Sequence, residues 1–374
     1  MIILKAQALS DFLHKVIFVI FLGLLASCGS TQVISANSSP ALMASVPPSP
    51  EEVLDIGIIA FDPNIPDDII ESNENLIVPD VRRAESRYIA YHLKNTLENT
   101  GNWGAVRVLP NSTESSHIEI NGKILSSDGE MLRLKITAID SKKIKWIDRI
   151  FEDRATGLGY ENPTEDPFQD LYNEVANELL AFKNRLSSMD SSKIKEVAKL
   201  RFATDLAPEK FDGYLVKEKN GSLKIGRLPA SNDPMIIRVA QLEELDFLFI
   251  DTLDTHFNKF YRETQASYDE WRRTTFAEAL RLRELQKEAR RRIAAGALMI
   301  VGGIAAEGSS SAAAYAGAYG GVNAIRRGII KRVDAANQEN RLRELNEALA
   351  SEITPYVLDI EGKTCILKIW LKNR

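Results

Sequence analysis

The sequence predicts an α+β protein. We expect an N-terminal β-α-β-β-β-β-α sandwich domain, then a long helical region with an antiparallel helical hairpin, and a C-terminal β-hairpin. Short β-branched and alternating runs between residues 51 and 190 indicate strands. Two segments there repeat apolar residues near every 3.6 positions, as amphipathic helices do. No proline lies between Pro234 and Pro355, where the helical pattern continues.

The first residues predict a lipoprotein signal peptide over 1–27. Lys5 and Lys15 precede an apolar run of eleven residues, from Val16 to Ala26. As a helix this run would be roughly 16 Å long, about half the hydrocarbon thickness of a bilayer, so it is typical of a secretory signal. It ends in Leu25-Ala26-Ser27-Cys28, which resembles a bacterial lipobox. A plain signal peptide with a chance cysteine is the alternative.

The resemblance to bacterial lipoproteins implies that Cys28 becomes the first mature residue and carries the acyl chains. Several acyl chains anchor a protein stably, whereas one does not. Gly29 follows the cysteine, where an aspartate would signal inner-membrane retention, so we expect the outer membrane. Residues 28–50 are rich in Ser, Ala and Pro and are expected to form a flexible tether.

The domain over 51–190 begins with a dense apolar strand at Val53–Phe61, which predicts a central position in the sheet. A helix over 81–100 and a strand over 105–109 follow. Three further segments alternate, at 117–125, 131–139 and 145–151, and Ser127-Asp-Gly-Glu130 favours a tight hairpin between the first two. A second helix over 166–186 completes the order.

Three segments of this domain resemble a known group: the strand containing Ile-Gly-Ile-Ile-Ala-Phe61, the helix that ends in Leu97-Glu-Asn-Thr-Gly-Asn-Trp103, and His117-Ile-Glu-Ile-Asn-Gly-Lys-Ile-Leu125. They are similar to the periplasmic domain of the CsgG curli-secretion lipoproteins. The N-terminal domain of TolB and the penicillin-binding-protein activator LpoB share this plan. The resemblance covers about 135 residues. It implies binding of other envelope proteins, or assembly with them, and no catalysis.

Few residues could bind a metal or carry catalysis. With two cysteines, the chain has neither a disulfide scaffold nor a zinc ribbon. His92 and His117 have no nearby ligand at metal spacing and are expected to be surface or core histidines. An acidic loop, Asp67, Asp68, Glu71 and Glu74, could hold calcium, but it lacks the EF-hand spacing and is expected to be solvated. Gly157-Leu-Gly159 is expected to be a loop, and no cofactor or metal site is predicted.

Residues 191–233 are expected to contain a connecting helix and a β-hairpin that turns at Asn220-Gly221. Asp233-Pro234 then has the pattern of an N-cap with proline at the first helical position. From Pro234 to Thr354 the sequence predicts a long helical hairpin with a heavily aromatic first part. That aromatic stretch is expected to be core, and a peptide or glycan groove is the alternative. No HExxH-like pair surrounds His256.

The tip of the predicted hairpin, residues 293–325, is rich in glycine and alanine and lies between Arg290-Arg-Arg292 and Arg326-Arg327. Glycine costs about 1 kcal/mol relative to alanine in a helix, so its abundance implies close helix approach. Each side would be about 21 Å long, too short to cross a bilayer. Tight packing, insertion into a membrane and docking of a partner protein are three competing roles for the glycines: Gly296, Gly302, Gly303, Gly317, Gly320 and Gly321.

Thr354-Pro355 is expected to end the helix, and residues 355–374 to form a β-hairpin that turns at Glu361-Gly-Lys363. Cys365 would then be a buried, inert thiol.

The sequence therefore predicts a non-enzymatic outer-membrane lipoprotein that serves as an envelope assembly, secretion or scaffold component. It would bind the membrane by its lipid, contact other envelope proteins and itself oligomerise. The formal charge of −5 gives no support to nucleic-acid binding. One alternative is a binding module that regulates a cell-wall enzyme, as LpoB does. An envelope hydrolase is a third hypothesis, against which stands the lack of a GxSxG, SxxK or HExxH motif.

Overall fold

A computed structural model describes residues 40–68, 76–161, 165–230, 232–305 and 311–372. Side-chain surroundings are described for these residues apart from 302–318, 360 and 363–372. The signal peptide and Cys28, like Glu71 and Glu74 of the acidic loop, lie outside the described residues. All described residues belong to one compact unit that begins at Ser39.

A five-stranded sheet organises the first domain. Its strands are β1 (Ile56–Ile59), β2 (Val106–Leu109), β3 (Ile118–Ser127), β4 (Met131–Asp140) and β5 (Lys145–Arg154), in the order β2-β1-β3-β4-β5. β1 pairs in parallel with β2 and β3, whereas β3, β4 and β5 form an antiparallel meander. The predicted central strand is therefore confirmed.

Helices cover one face of this sheet. α1 (Pro79–Asn99) crosses over from β1 to β2, and a second long helix, α3 (Gln169–Lys183), follows β5. The apolar side chains of the strands, such as Ile58, Ile120 and Leu134, are buried with Leu93 and Leu179 of these helices. The opposite face carries partly exposed polar residues, which alternate with the buried ones as expected for a sheet with one solvated face. The predicted α+β class is confirmed, and so is the predicted order of these strands and long helices along the chain.

Between β5 and α3 lies a one-turn helix, α2 (Gly157–Glu161), where the sequence predicted a loop. That prediction was wrong because Tyr160 is buried: its hydroxyl donates to the carbonyl of Gly129 at 2.6 Å, which fixes this turn against the β3–β4 turn. α4 (Ser188–Leu206) starts with a capping box between Ser187 and Asp190. The predicted hairpin follows as β6 (Leu215–Lys217) and β7 (Leu223–Ile225).

Two very long helices complete the chain. α5 (Pro234–Ala305) has 72 residues and α6 (Ser311–Lys372) has 62. At 1.5 Å per residue they are roughly 108 Å and 93 Å long. The carboxylate of Asp233 accepts the backbone N–H of Met235 at 2.8 Å, so the predicted N-cap is confirmed. The two helices pack against each other along much of their length, which confirms the predicted helical hairpin.

The predicted C-terminal β-hairpin over 355–374 was wrong, because α6 continues through Pro355 to Lys372. Leu349, Ile353 and Val357, four residues apart, are all buried in the core shared with the first domain. Proline removes the hydrogen bond to the carbonyl of Ser351, but both residues are exposed, so water can satisfy that carbonyl. Apolar burial therefore outweighs the proline. Cys365 lies on this helix.

Candidate functional site: the helical hairpin and its joint with the domain

A buried ion pair joins the hairpin to the first domain. The guanidinium of Arg272, on α5, lies 2.8 Å from the carboxylate of Asp166, at the start of the α3 segment. Their side chains are only 3% and 4% exposed. Burial alone would raise the pKa of Asp166, but the charge of Arg272 and the hydrogen bonds from Arg272 and the Phe168 backbone act together against it, and the pKa is lowered. Arg272 also pairs with Asp269, one turn earlier on its own helix. The pair is therefore ionised and compensated.

Aromatic rings surround this ion pair. Tyr88 of α1 stacks on Tyr261 with ring centroids 4.5 Å apart and contacts Tyr268 at the same distance. The Arg272 guanidinium lies over the Tyr268 ring at 4.6 Å. The Tyr268 hydroxyl donates to the buried carboxylate of Glu85 at 2.9 Å, and this carboxylate also accepts a hydrogen bond from Ser127 of β3. The sheet, α1 and α5 thus meet in one polar and aromatic cluster. We call this cluster the joint, and its residues are Glu85, Tyr88, Ser127, Asp166, Tyr261, Tyr268 and Arg272.

His92 belongs to the same joint, and both of its ring nitrogens are hydrogen bonded. Nε2 lies 2.9 Å from Oε1 of Gln169, whose amide nitrogen donates to Thr96 and Asn173. Oε1 of Gln169 is therefore an acceptor, so His92 Nε2 carries the proton. Nδ1 is hydrogen bonded to the hydroxyl of Tyr261 at 2.8 Å. His92 is therefore a partly buried histidine with two protein partners, and it contacts no metal-binding group of the described residues, in line with the surface or core histidine that the sequence predicted.

The joint lines a cavity of about 570 Å³. His92, Tyr261, Asp269 and Arg272 form part of its wall, with acidic residues at its edge. The histidine nitrogens and the guanidinium NH2 are bonded to neighbouring side chains. These groups serve the joint, and the geometry favours a structural role for this cavity wall.

The β3–β4 turn docks directly on the backbone of α5. Gly129, in this turn, has a φ of +79°. A Cβ atom there would lie 2.7 Å from the carbonyl oxygen of Arg272 and 2.5 Å from Oγ1 of Thr275. Asp128 and Glu130, on either side of it, both pair with Arg283 of α5. The predicted hairpin turn is therefore also a contact with the helical hairpin.

Glycines bring the arms of the hairpin into backbone contact beyond the joint. A Cβ on Gly296 would lie 2.6 Å from the carbonyl oxygen of Gly321, and a Cβ on Gly321 the same distance from that of Gly296. The sequence did not single out Gly328, which faces Ala289 and Ile293 in the same way. Gly320 is not in backbone contact with α5: a Cβ atom there would have Met299 Sδ as its nearest neighbour, at 3.8 Å. The predicted close approach is confirmed for Gly296 and Gly321.

The neighbours Gly320 and Gly321 provide a matched pair of variants. Gly321→Ala should force the arms apart, since overpacking against backbone costs about 1–3 kcal/mol. Gly320→Ala has room for its methyl group and should stabilise the helix by up to about 1 kcal/mol. Hydrogen exchange followed by mass spectrometry should show faster exchange in 289–300 and 320–330 for Gly321→Ala only. Equal exchange in the two variants would contradict the close packing.

We call residues 293–305 of α5 and 311–325 of α6 the distal arm. Where side chains are described, large apolar residues point to solvent as well as to the partner helix. Leu298 and Val301 of α5 are 61% and 62% exposed, and Tyr319 and Val322 of α6 are 75% and 57% exposed. Gly302, Gly303 and Gly317 lie on these helices, but their surroundings are outside the described part. In the described residues no helix is long and apolar enough to span a membrane.

Basic residues surround the base of the distal arm. Arg290 and Arg291 of α5 and Arg326 and Arg327 of α6 are all exposed, and we call them the basic collar. None of the four forms an ion pair with a residue that the structure describes. Between Arg292 and Arg326 the sequence has a single charged residue, Glu307. Apart from Glu307 the segment is uncharged and apolar, and it is bounded on both helices by arginines that pair with no residue the structure describes.

Other candidate residues of the sequence contribute no site. His117 accepts the backbone N–H of Asp55 at 2.9 Å through Nδ1, so it holds the start of β1. Asp62 precedes the acidic loop and pairs with Lys123. Among the residues described, no three His, Cys, Asp or Glu side chains are grouped to hold a metal ion. The joint residues Glu85, Asp166 and Arg272 were missed, because nothing in their local sequence marks them as buried.

Comparison with protein-family models, curated proteins and solved structures gives no match to this chain. The resemblance to the CsgG, TolB and LpoB domains therefore stays a prediction from the pattern of three segments.

Proposed function

We propose that this protein is a non-enzymatic lipoprotein of the outer membrane, anchored through Cys28, which acts as a scaffold in an envelope assembly or secretion complex. The observation that carries this proposal is the buried joint that makes the helical hairpin a continuous extension of the α/β domain. The lipobox-like residues around Cys28 supply the anchor, and Gly29 favours the outer membrane.

The joint supports a scaffold because it fixes a long arm to a folded domain. Phe257, Phe260 and Trp271 of α5, and Ile353 of α6, lie in the same hydrophobic core as the sheet. Motion between two parts of a chain is expected unless their interface is large and hydrophobic. Here the interface is a shared core with a compensated ion pair, so the hairpin holds a defined direction relative to the domain.

The extension is considerable. The last contact of α5 with the β3–β4 turn is Arg283, and α5 continues to Ala305. These 22 residues give about 33 Å of helix beyond the domain. A projection of this kind allows a protein to contact partners at a distance from its anchor.

Exposed apolar side chains offer contact surfaces away from the arm. Ile237, Leu245 and Leu248 lie along the first turns of α5 and are 50%, 52% and 59% exposed. A cluster of exposed large apolar side chains is typical of a surface that binds another protein. We therefore place protein–protein contacts, with other envelope proteins or with further copies of the chain, on this part of α5.

Binding is favoured over catalysis by the state of the polar groups in the joint. A general base or nucleophile needs a free lone pair within reach of a substrate. His92 uses both ring nitrogens within the protein, and Asp166 balances the charge of Arg272. Glu85 faces Arg82 and accepts hydrogen bonds through Oε1, whereas its Oε2 is buried without a hydrogen-bond partner in the described part of the chain. These groups are arranged to hold helices together.

The anchor is tested by labelling cells with radioactive palmitate and fractionating their membranes. We expect the wild type to incorporate palmitate and to stay in the outer membrane after washing at high salt and alkaline pH. Cys28→Ser should incorporate none. A wild type without palmitate, or a Cys28→Ser variant that incorporates it, would contradict the proposal.

The scaffold role is tested in the same cells with a photo-crosslinking amino acid. Placed at Leu245, it should give discrete adducts with an envelope protein or a second copy. At the adjacent Glu244, which is exposed on another side of α5, it should give none. Absence of adducts from Leu245 in the properly anchored protein would refute protein contact at this surface.

A further inference from the structure

We propose that the distal arm inserts into one leaflet of a membrane containing anionic phospholipid, as a second membrane contact besides the lipid at Cys28. This inference deepens the proposed function and rests on it only for the presence of a membrane near the arm. The chemistry of the arm identifies its partner as lipid. The acyl chains would surround the apolar distal arm, and the phosphate headgroups would bind the basic collar.

The distal arm is apolar on its outward side as well as on the side that faces the partner helix. Gly296 and Ile300 face the partner helix, where the backbones are in contact. Leu298 and Val301 on α5, and Val322 on α6, are more than half exposed. A helix that is apolar all round requires burial all round, in a protein core or in a membrane. The partner helix buries only the inner side.

Positive charges lie at the base of the distal arm on both helices. The collar arginines stand where the uncharged segment of each helix ends, at Arg290 and Arg291 on α5 and Arg326 and Arg327 on α6. Clustered basic side chains at such a boundary are attracted to anionic headgroups, and arginines near an apolar segment reach the headgroup level. Both helices place this transition at the same depth, because Gly296 lies opposite Gly321.

The dimensions fit one leaflet. Residues 293–305 give roughly 20 Å of helix, which is less than the roughly 30 Å hydrocarbon core of a bilayer. Tyr319, 75% exposed, is a side chain that favours the interface between water and lipid. On α6 exposed apolar residues continue past the collar, at Ile329, Ile330 and Val333, so the arm should enter the leaflet obliquely.

A second copy of the chain fits this surface less well than lipid does. A copy would cover one side of the hairpin, whereas exposed apolar residues are present on the outer sides of both helices. Apposed arms would also bring two collars of unpaired arginines together, and like charges repel. In an anionic leaflet, the acyl chains surround the arm on all sides and the headgroups neutralise the charge of the basic collar.

The test uses the chain from residue 29 onwards, which lacks both Cys28 and the apolar signal segment, so that neither can contribute. We expect this protein to float with vesicles of phosphatidylethanolamine and phosphatidylglycerol, and much less with phosphatidylcholine vesicles. Adding Leu298→Asp should weaken the binding about tenfold or more, because a charge is placed in the acyl layer. Replacing the four collar arginines by glutamine should remove the preference for phosphatidylglycerol.

Leu280→Asp is the matched control, since Leu280 is an exposed leucine of α5 that lies before the collar. It should float like its parent. Equal flotation of the Leu298 and Leu280 variants, no binding to anionic vesicles, or self-association that is lost with Leu298→Asp in the absence of vesicles would overturn the proposal. Circular dichroism checks that each variant is folded. Since Cys28 is absent, this failure would leave the anchor untouched.

Discussion

Asp166→Asn should lower the free energy of unfolding by about 3 kcal/mol or more, the cost of removing one partner of a buried ion pair. The substitution keeps the size of the side chain but leaves the buried Arg272 with only the partly exposed Asp269 as a counter-charge. Urea unfolding of the folded chain measures this loss. The same variant should speed hydrogen exchange in α5 around 261–276, where the joint would loosen.

Two further variants separate the ion pair from general damage. Arg273→Gln removes the neighbouring pair with Glu270, in which both side chains are 60% exposed, and should change stability by less than about 0.5 kcal/mol. Adding Arg272→Met to Asp166→Asn should restore much of the loss, because an apolar side chain needs no counter-charge. A double variant no more stable than Asp166→Asn would show that the uncompensated charge is not the cause.

The pH dependence provides an independent check. The pKa of Asp166 is lowered in the folded protein, so its contribution is fully present above the ordinary aspartate value of about 3.9. The contribution is lost as the pH falls through the lower folded value. In Asp166→Asn this part of the acid destabilisation should be absent. An unchanged acid profile would contradict an ionised Asp166.

Gly129→Ala should cost about 2–5 kcal/mol, since two penalties act together. A side chain at a φ of +79° is strained, and its Cβ would lie 2.7 Å from the carbonyl oxygen of Arg272. The β3–β4 turn would have to leave α5, which would also weaken the pairs of Arg283 with Asp128 and Glu130. Urea unfolding measures the total loss.

Gly213→Ala is the matched control for backbone strain alone. Gly213 has a φ of +74°, but nothing lies within 4 Å of the position of its Cβ. It should therefore lose only the strain, about 1 kcal/mol. Equal losses in the two variants would mean that the turn does not press on α5.

The strand and helix order of the first domain could be predicted because its signals are local. Apolar runs such as Val53–Phe61 and the turn at Ser127–Glu130 depend on neighbouring residues, and they form as predicted. The cap at Asp233 and the turn at Asn220-Gly221 are local in the same sense. The glycines of the hairpin were also informative, because the cost of Gly296 and Gly321 has to be offset by close packing.

The rest could not be predicted because it depends on contacts distant in sequence. Pro355 and Gly362 are strong local signals for a break, but the burial of Ile353 and Val357 against the first domain keeps α6 helical. The joint links Glu85, Asp166 and Arg272, which are 81 and 106 residues apart along the chain. An ionisable residue in a polar sequence gives no sign of its burial.

The central claim is that the hairpin is a fixed projection whose distal end lies in a membrane. Measuring how deep labelled positions of the hairpin lie in the bilayer tests it most directly. A nitroxide label is placed at Leu298, Val322, Val333 or Leu280, one at a time, in the chain from residue 29 onwards with Cys365→Ser. With anionic vesicles, the protection from a water-soluble paramagnetic reagent should be greatest at 298 and 322, smaller at 333 and negligible at 280. Equal exposure of all four positions to that reagent would contradict the account.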